Sequence, residues 1–298
     1  MRRSAHVEAV LLILGTGFCF ATLDTLSKLS ADFAPVTQTL WLRYLAQFLF
    51  TLIWWWFRVR PVLGAAFFRT QHPRFHVLRG VLLAASTALC FIGLRYMPVG
   101  ELTAVSFTSP IVAMLLASWL MHEGVSRAQW WLAALGFLGA MIVIRPGSGL
   151  FGWAVLFPIG LALVNGSFLT LTRRLASGRE NPILGQLAAG LVGTLIFSVP
   201  LLWPGSFKFD LLAWQWLVML GIGVTATLGH FFLLQAFARD TPAALAPFTY
   251  AQIAFAMVGG WIAFAHVPDG WAMVGILVIA ATGVLSAWIR QQRWFGQT

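Results

Sequence analysis

The stretch "LWLRYLAQFLFTLIWWWF" at residues 40–57 decides the fold. It is apolar almost throughout, and an α-helix of roughly 20 such residues covers the ~30 Å hydrocarbon core of a bilayer. The Trp54–Trp55–Trp56 triplet that closes it belongs at a membrane–water boundary, where indole rings are enriched. Arg43 then lies inside the apolar zone, where a guanidinium costs about 2.5–3.5 kcal/mol on insertion scales. A residue that costly needs a partner or a task.

The same pattern runs outward in both directions. Of 298 residues 59% are hydrophobic and 9% charged, against about 25% charged in soluble domains. The sequence predicts an all-α integral membrane protein with ten transmembrane helices, near 7–29, 35–57, 77–96, 99–121, 128–144, 151–173, 182–203, 212–237, 242–265 and 270–289. Connections are short and rich in Gly and Pro ("RPGSG", "WPGSF", "HVPDG"), and the longest, 58–76, leaves no room for an extramembrane domain. The opening "MRRSAHVEAVLLILGTGFCFATL" runs into Asp24 and Lys28 rather than a small-residue cleavage site, so the first span is expected to stay.

The net charge of +10 is dispersed between apolar runs, which argues against nucleic acid and for membrane topology. With the N-terminus inside, Arg2, Arg3, Arg58, Arg60, Arg69, Arg74, Arg79, Arg127, Arg173, Arg174, Arg179, Arg239, Arg290 and Arg293 fall on the cytoplasmic side. Arg95, Arg145 and Lys208 fall outside. Both termini are therefore expected in the cytoplasm. Cys19 and Cys90 lie in apolar runs without metal-ligand spacing and read as core residues.

Two halves, 1–148 and 149–298, match in order. "TLSKLS" (25–30) ends the first span as "TLTRRL" (170–175) ends the sixth, and "FTSPI" (107–111) stands in the fourth as "FTYAQI" (248–253) in the ninth. Five spans per half is odd, so the second copy enters the membrane inverted, a device of alternating-access carriers with a midplane site.

The Gly-rich "LGTGFCFATLDTLSKLS", the "LWLRY" motif, "TAVSFTSPIVAMLLASWLMHE" with Pro110 and Glu123, and "GFLGAMIVIRPG" occur in an order and spacing that resembles the drug/metabolite transporter superfamily, in its ten-helix bacterial exporter branch. That resemblance covers nearly the whole chain. It implies export of small metabolites, often amino acids and sometimes aromatic ones, across the bacterial cytoplasmic membrane through a cavity between two bundles. The second half departs from the pattern: Gln252 stands where the superfamily often has Pro, and Ala265 and His266 where a Glu commonly closes the ninth helix.

Asp24 and Arg43 fall at similar depths on adjacent spans, so a contact between them, direct or through another polar group, is expected, as packing, as a gate, or with Arg43 meeting a substrate carboxylate. Lys28, one turn beyond, is close enough to the boundary to snorkel. The remaining polar residues inside the spans are the candidate substrate contacts: Tyr44, Gln47, Ser106, Thr108, Asn165, Gln186, His230, Tyr250 and Gln252, with Trp41 as an aromatic one. His230 reads as an interhelical hydrogen-bond former or a proton carrier. Glu101 reads as a hydrated boundary carboxylate or a coupling group. Pro110 and Pro247 are candidate hinges at near-equivalent positions, and Gly136, Gly139, Gly275 and Gly283 permit close helix contact or dimerisation.

An enzyme finds little support. His122-Glu123 begins an H-E-x-x-H pattern that Ser126 ends, and the His72/His76 pair shares a basic loop with Pro73. No metal or cofactor is expected. A carrier for neutral or aromatic amino acids is the leading reading, as monomer or homodimer, with lipids, drug-like cations or other metabolites as rival cargoes.

Overall fold

A computed structural model describes residues 2–121, 127–145, 152–177, 181–239, 245 and 248–295, which form helices and short turns with no strand among them. The helices are α1 (Arg2–Ser30), α2 (Val36–Trp54), α3 (Pro73–Gly93), α4 (Val99–Ser106), α5 (Ser109–Met121), α6 (Arg127–Ile144), α7 (Leu156–Ser177), α8 (Pro182–Leu201), α9 (Ala213–Arg239), α10 (Ala251–Phe264) and α11 (Gly270–Phe295). With α4 and α5 as two pieces of the fourth, they make the ten spans expected from the sequence. Pro opens α3 and α8, where its missing N–H has no helical partner to lose, and the Asn181 side chain caps α8 by accepting from Ile183 N at 2.9 Å.

Among the described residues five helices are long and apolar enough to cross a membrane, and four shorter apolar segments accompany them. The tenth span, α2, is in neither group, because Gln38, Arg43, Tyr44 and Gln47 interrupt it; all four are buried. Side chains that face outward are apolar instead, Leu195, Val199, Leu217 and Ile262 each being at least 60% exposed. A surface of this kind suits lipid and not water.

The principal packing runs between the two halves of the chain. α1 lies against α9 and α10, α2 against α8 and α9, α3 against α7 and α8, α5 against α7, α4 against α10, and α6 against α11. Exchanging each span for the one five places along returns the same set of pairs. The end of the bundle where the chain begins is called the near end below, and the end where α1 finishes the far end.

After α2 the backbone makes one π turn, Trp55–Val59, and then runs across the near end through Arg60–Leu63 and Gly64–Phe68. Val59 and Phe67 pack on Leu184 and Leu187 of α8, while Trp56, Phe57, Val62 and Phe68 face outward. The Arg60 guanidinium covers the Trp56 ring at 3.9 Å. An apolar strip with cationic edges is built for the headgroup layer.

The fourth span breaks at Phe107–Thr108, two residues before Pro110, so the interruption is a full break and not a kink centred on the proline. The Ser106 and Thr108 hydroxyls turn back onto their own helix, donating to Thr103 O at 2.7 Å and Val105 O at 2.8 Å. Ser109 likewise donates to Ser106 O. The loosened turn is thus capped by its own side chains. Pro247 and Glu123 lie outside the described residues.

Candidate substrate site

Arg43 and Gln47 stand one turn apart on the same face of α2, with Tyr44 beside them. Arg43 is 4% exposed, and neither its Nε nor its Nη1 has a hydrogen-bond partner. Its guanidinium lies over the Tyr44 ring at 4.6 Å, a cation–π contact that leaves the N–H donors free. Of the two forms of Asp24–Arg43 contact expected from depth, the direct ion pair is not formed. Asp24 accepts instead from Thr103 Oγ1 at 3.4 Å and from the Cys90 thiol at 3.7 Å, with Arg43 as a charged neighbour beyond bonding distance. The reason lies in the packing, since α1 and α2 share few contacts and each leans on the second half.

Among the described residues, two further buried atoms without a hydrogen-bond partner belong to residues near Arg43. Gln47 donates through Nε2 to Gln186 Oε1 at 3.4 Å, leaving its own Oε1 unmatched. His230 on α9 packs edge-on against Phe20 at 5.0 Å, with Nε2 unmatched and Arg43 and Arg79 as its charged neighbours. An unsatisfied buried polar group costs about 1–3 kcal/mol, more when charged. A fold that leaves a guanidinium, an amide oxygen and an imidazole nitrogen in this condition has left places for something else to bind.

Most of the other expected contacts are engaged. Tyr44 shares a 2.8 Å hydrogen bond with Thr87 and stacks on Phe197, and Trp41 donates to Ser198 Oγ at 2.8 Å. Asn165 reaches Ser109 Oγ at 3.3 Å, tying α7 to α5. Tyr250 packs against Phe107 and Gly283, and Gln252 sits at the α1–α10 crossing opposite Gly17. Arg79, counted from sequence only as a topological charge, is a tie between halves: it donates to Thr172 Oγ1 at 3.0 Å and Gly185 O at 2.9 Å. Gln38, not singled out in the sequence, is fully buried and exchanges two hydrogen bonds with the Lys208 backbone. Its polarity in an apolar span was the available signal.

At the far end Lys28 does not snorkel. Its Nζ donates to Leu94 O at 3.0 Å and Met97 O at 2.6 Å, satisfying carbonyls of the turn between α3 and α4. Lys28→Met is expected to cost about 1.5–3 kcal/mol, read as a fall in thermal unfolding midpoint. Glu101 is also not the hydrated boundary group considered above, being 3% exposed and paired with His266 at 2.8 Å.

Asp269 caps α11 by accepting from Ala272 N at 2.8 Å and pairs with Arg145 at 2.5 Å. The Ala272 bond first, and Arg145 after it, hold its carboxyl below the ordinary value of 3.8. A carboxylate lowered on folding contributes stability above its unfolded pKa, and loses it as pH falls through the lower folded one. Asp269→Asn is expected to remove that acid-side dependence, seen as a flatter melting-temperature profile below about pH 4.

A family profile described as the EamA-like transporter family matches residues 7–145. A riboflavin transporter of Rhizobium johnstonii is 30% identical over 292 residues, covering 94% of this chain and 90% of its own length. The chain belongs to the EamA-like transporter family. This EamA-like protein is also 26% identical to a pseudopaline exporter of Pseudomonas aeruginosa, over 94% of the chain and 96% of the relative. An S-adenosylmethionine uptake transporter of Rickettsia conorii is 27% identical over 72% of the chain and 71% of the relative. A solved crystal structure with 16% sequence identity superposes with a TM-score of 0.63, covering 93% of the EamA-like chain and 98% of the other, which supports the fold. The EamA-like chain is therefore a multi-span small-metabolite transporter and not an enzyme.

Proposed function

We propose that this protein carries neutral or aromatic amino acids outward across the bacterial cytoplasmic membrane by alternating access, with both termini in the cytoplasm. The observation that carries the reading is Arg43, a buried guanidinium whose Nε and Nη1 donors point at no protein acceptor. A substrate carboxylate accepts a charge-assisted N–H bond from such an unspent donor. Gln47 Oε1 and the nearby Asp24 carboxylate accept from the substrate ammonium, and Phe20 and Tyr44 supply apolar and aromatic surface.

The relatives are named for riboflavin, S-adenosylmethionine and pseudopaline, and for both uptake and export, so likeness does not choose the cargo. The charge of the unpaired Arg43 favours carboxylates over drug-like cations. The exchange symmetry of the helix pairs supports 1–148 and 149–298 as inverted repeats that rock about the site. The dense arginines of the near end support its placement in the cytoplasm.

Counterflow in proteoliposomes tests the reading. Vesicles holding one unlabelled amino acid at a time should take up labelled amino acid saturably for some and not for others. Uptake of none by folded protein, with drug-like cations or lipid analogues exchanged instead, overturns the amino-acid assignment.

A further inference from the structure

The segment that crosses the near end after α2, residues 55–68, has one side fixed to the bundle and one side exposed. On the inner side Val59 and Phe67 are buried against Leu184 and Leu187 of α8, and Trp55 packs on Phe67 and Phe68. The outer side is apolar: Trp56, Phe57, Val62 and Phe68 are each at least 50% exposed. Trp56 and Phe57 continue the stripe that Leu49 and Ile53 expose along α2, at helical spacing.

Arginines border this face. Arg58, Arg60, Arg69 and Arg74 are all exposed, and the sequence holds no Asp or Glu between Asp32 and Glu101. None of the four pairs with a carboxylate among the described residues, whereas Arg145 is paired with Asp269 and Arg239 with Glu8. The Arg60 guanidinium spends one face on the Trp56 ring, at 3.9 Å, and keeps its N–H edges for another acceptor. Arg174, in the last turn of α7, lies over the Phe75 ring at 5.1 Å and brings a further cation to the same end.

The charge and the apolar face together select the occupant. Guanidinium N–H groups match phosphate oxygens in geometry and charge. A zwitterionic headgroup carries its own cation and offers these arginines little net charge. Soluble phosphate leaves Trp56, Phe57 and Phe68 uncovered. A lipid with a net negative headgroup meets both halves of the surface, and basic clusters at the end of a membrane helix attract such lipids.

We propose that residues 56–74 form a binding site for anionic phospholipid, with acyl chains against Trp56, Phe57 and Phe68 and headgroup phosphates met by Arg58, Arg60, Arg69 and Arg74. The site stands whatever cargo the protein carries.

Native mass spectrometry of the purified full-length protein tests it, by titration with phosphatidylglycerol or with phosphatidylcholine of the same acyl chains. Wild type should bind phosphatidylglycerol at least about tenfold more tightly, with a loss of about fivefold for each arginine removed. The combined Arg58→Gln, Arg69→Gln and Arg74→Gln variant, which keeps Arg60 on Trp56, should bind the two lipids nearly alike. Lys208→Gln removes one positive charge at the far end and should leave the preference intact. No preference in wild type, a preference that survives the triple variant, or an equal loss in Lys208→Gln overturns the proposal.

A second measurement needs no substitution. In nanodiscs, amide hydrogen exchange over 56–70 should slow severalfold when phosphatidylglycerol replaces phosphatidylcholine. That protection should fade as salt rises, because exposed charges are screened. Exchange in this segment that is indifferent to headgroup in wild type overturns the site, even where the triple variant does not fold.

Discussion

Arg43→Met should abolish amino-acid exchange and at the same time raise the thermal unfolding midpoint of the purified protein. Truncating one partner of a buried charge pair costs about 2–5 kcal/mol of binding, or roughly 30-fold to several thousand-fold in affinity. The gain in stability follows from the absence of a hydrogen-bond partner, since Nε and Nη1 are buried and unmatched in the free protein. Replacing a poorly compensated buried ion with a methionine of similar reach is neutral or stabilising, by up to about 4 kcal/mol. Opposite signs for function and stability separate this from damage to the fold. Wild-type exchange by the variant would remove Arg43 from the substrate site, and a lowered midpoint would show that the guanidinium is bonded within the folded chain.

Gly275→Leu should cost more stability than any other single glycine replacement at the α6–α11 crossing. A Cβ on Gly275 would stand 2.7 Å from Gly139 O and 2.9 Å from Val143 N, and one on Gly139 would stand 3.0 Å from Gly275 O. These neighbours are backbone atoms, which cannot rotate out of the way as a side chain does. Overpacking usually costs about 1–3 kcal/mol, and here the upper end is expected because two helices must separate along their length. Gly275→Ala should show a smaller loss of the same kind in a thermal-shift assay. A midpoint for Gly275→Leu equal to wild type would mean that the crossing is wider than described. These glycines therefore serve packing between spans five and ten, rather than a dimer.

The expectations that held and those that did not divide by range. All ten spans were legible because a span is an additive property of local composition: about 20 apolar residues decide it, whatever they later touch. The broken fourth span was half legible, as Pro110 announced an interruption, but its position at Phe107–Thr108 depends on hydroxyls that cap the turn. Lys28 was misread as snorkelling because the open carbonyls of Leu94 and Met97 are 66 and 69 residues away. Asp24 and Arg43 were matched by depth alone, which fixes height along the membrane normal and says nothing of rotation about each helix axis.

The sequence by itself therefore determined that this chain lies in a membrane, how often it crosses, and that Arg43 would need an explanation. The tertiary structure alone decided the explanation. Which polar groups meet depends on how each helix is rotated and crossed against the other half, and that is set by the fit of residues such as Gly139, Gly193 and Gly275 against distant partners. The same packing that joined Glu101 to His266 left the Arg43 guanidinium buried and unmatched, because the carboxylate beside it was already held by Thr103 and Cys90.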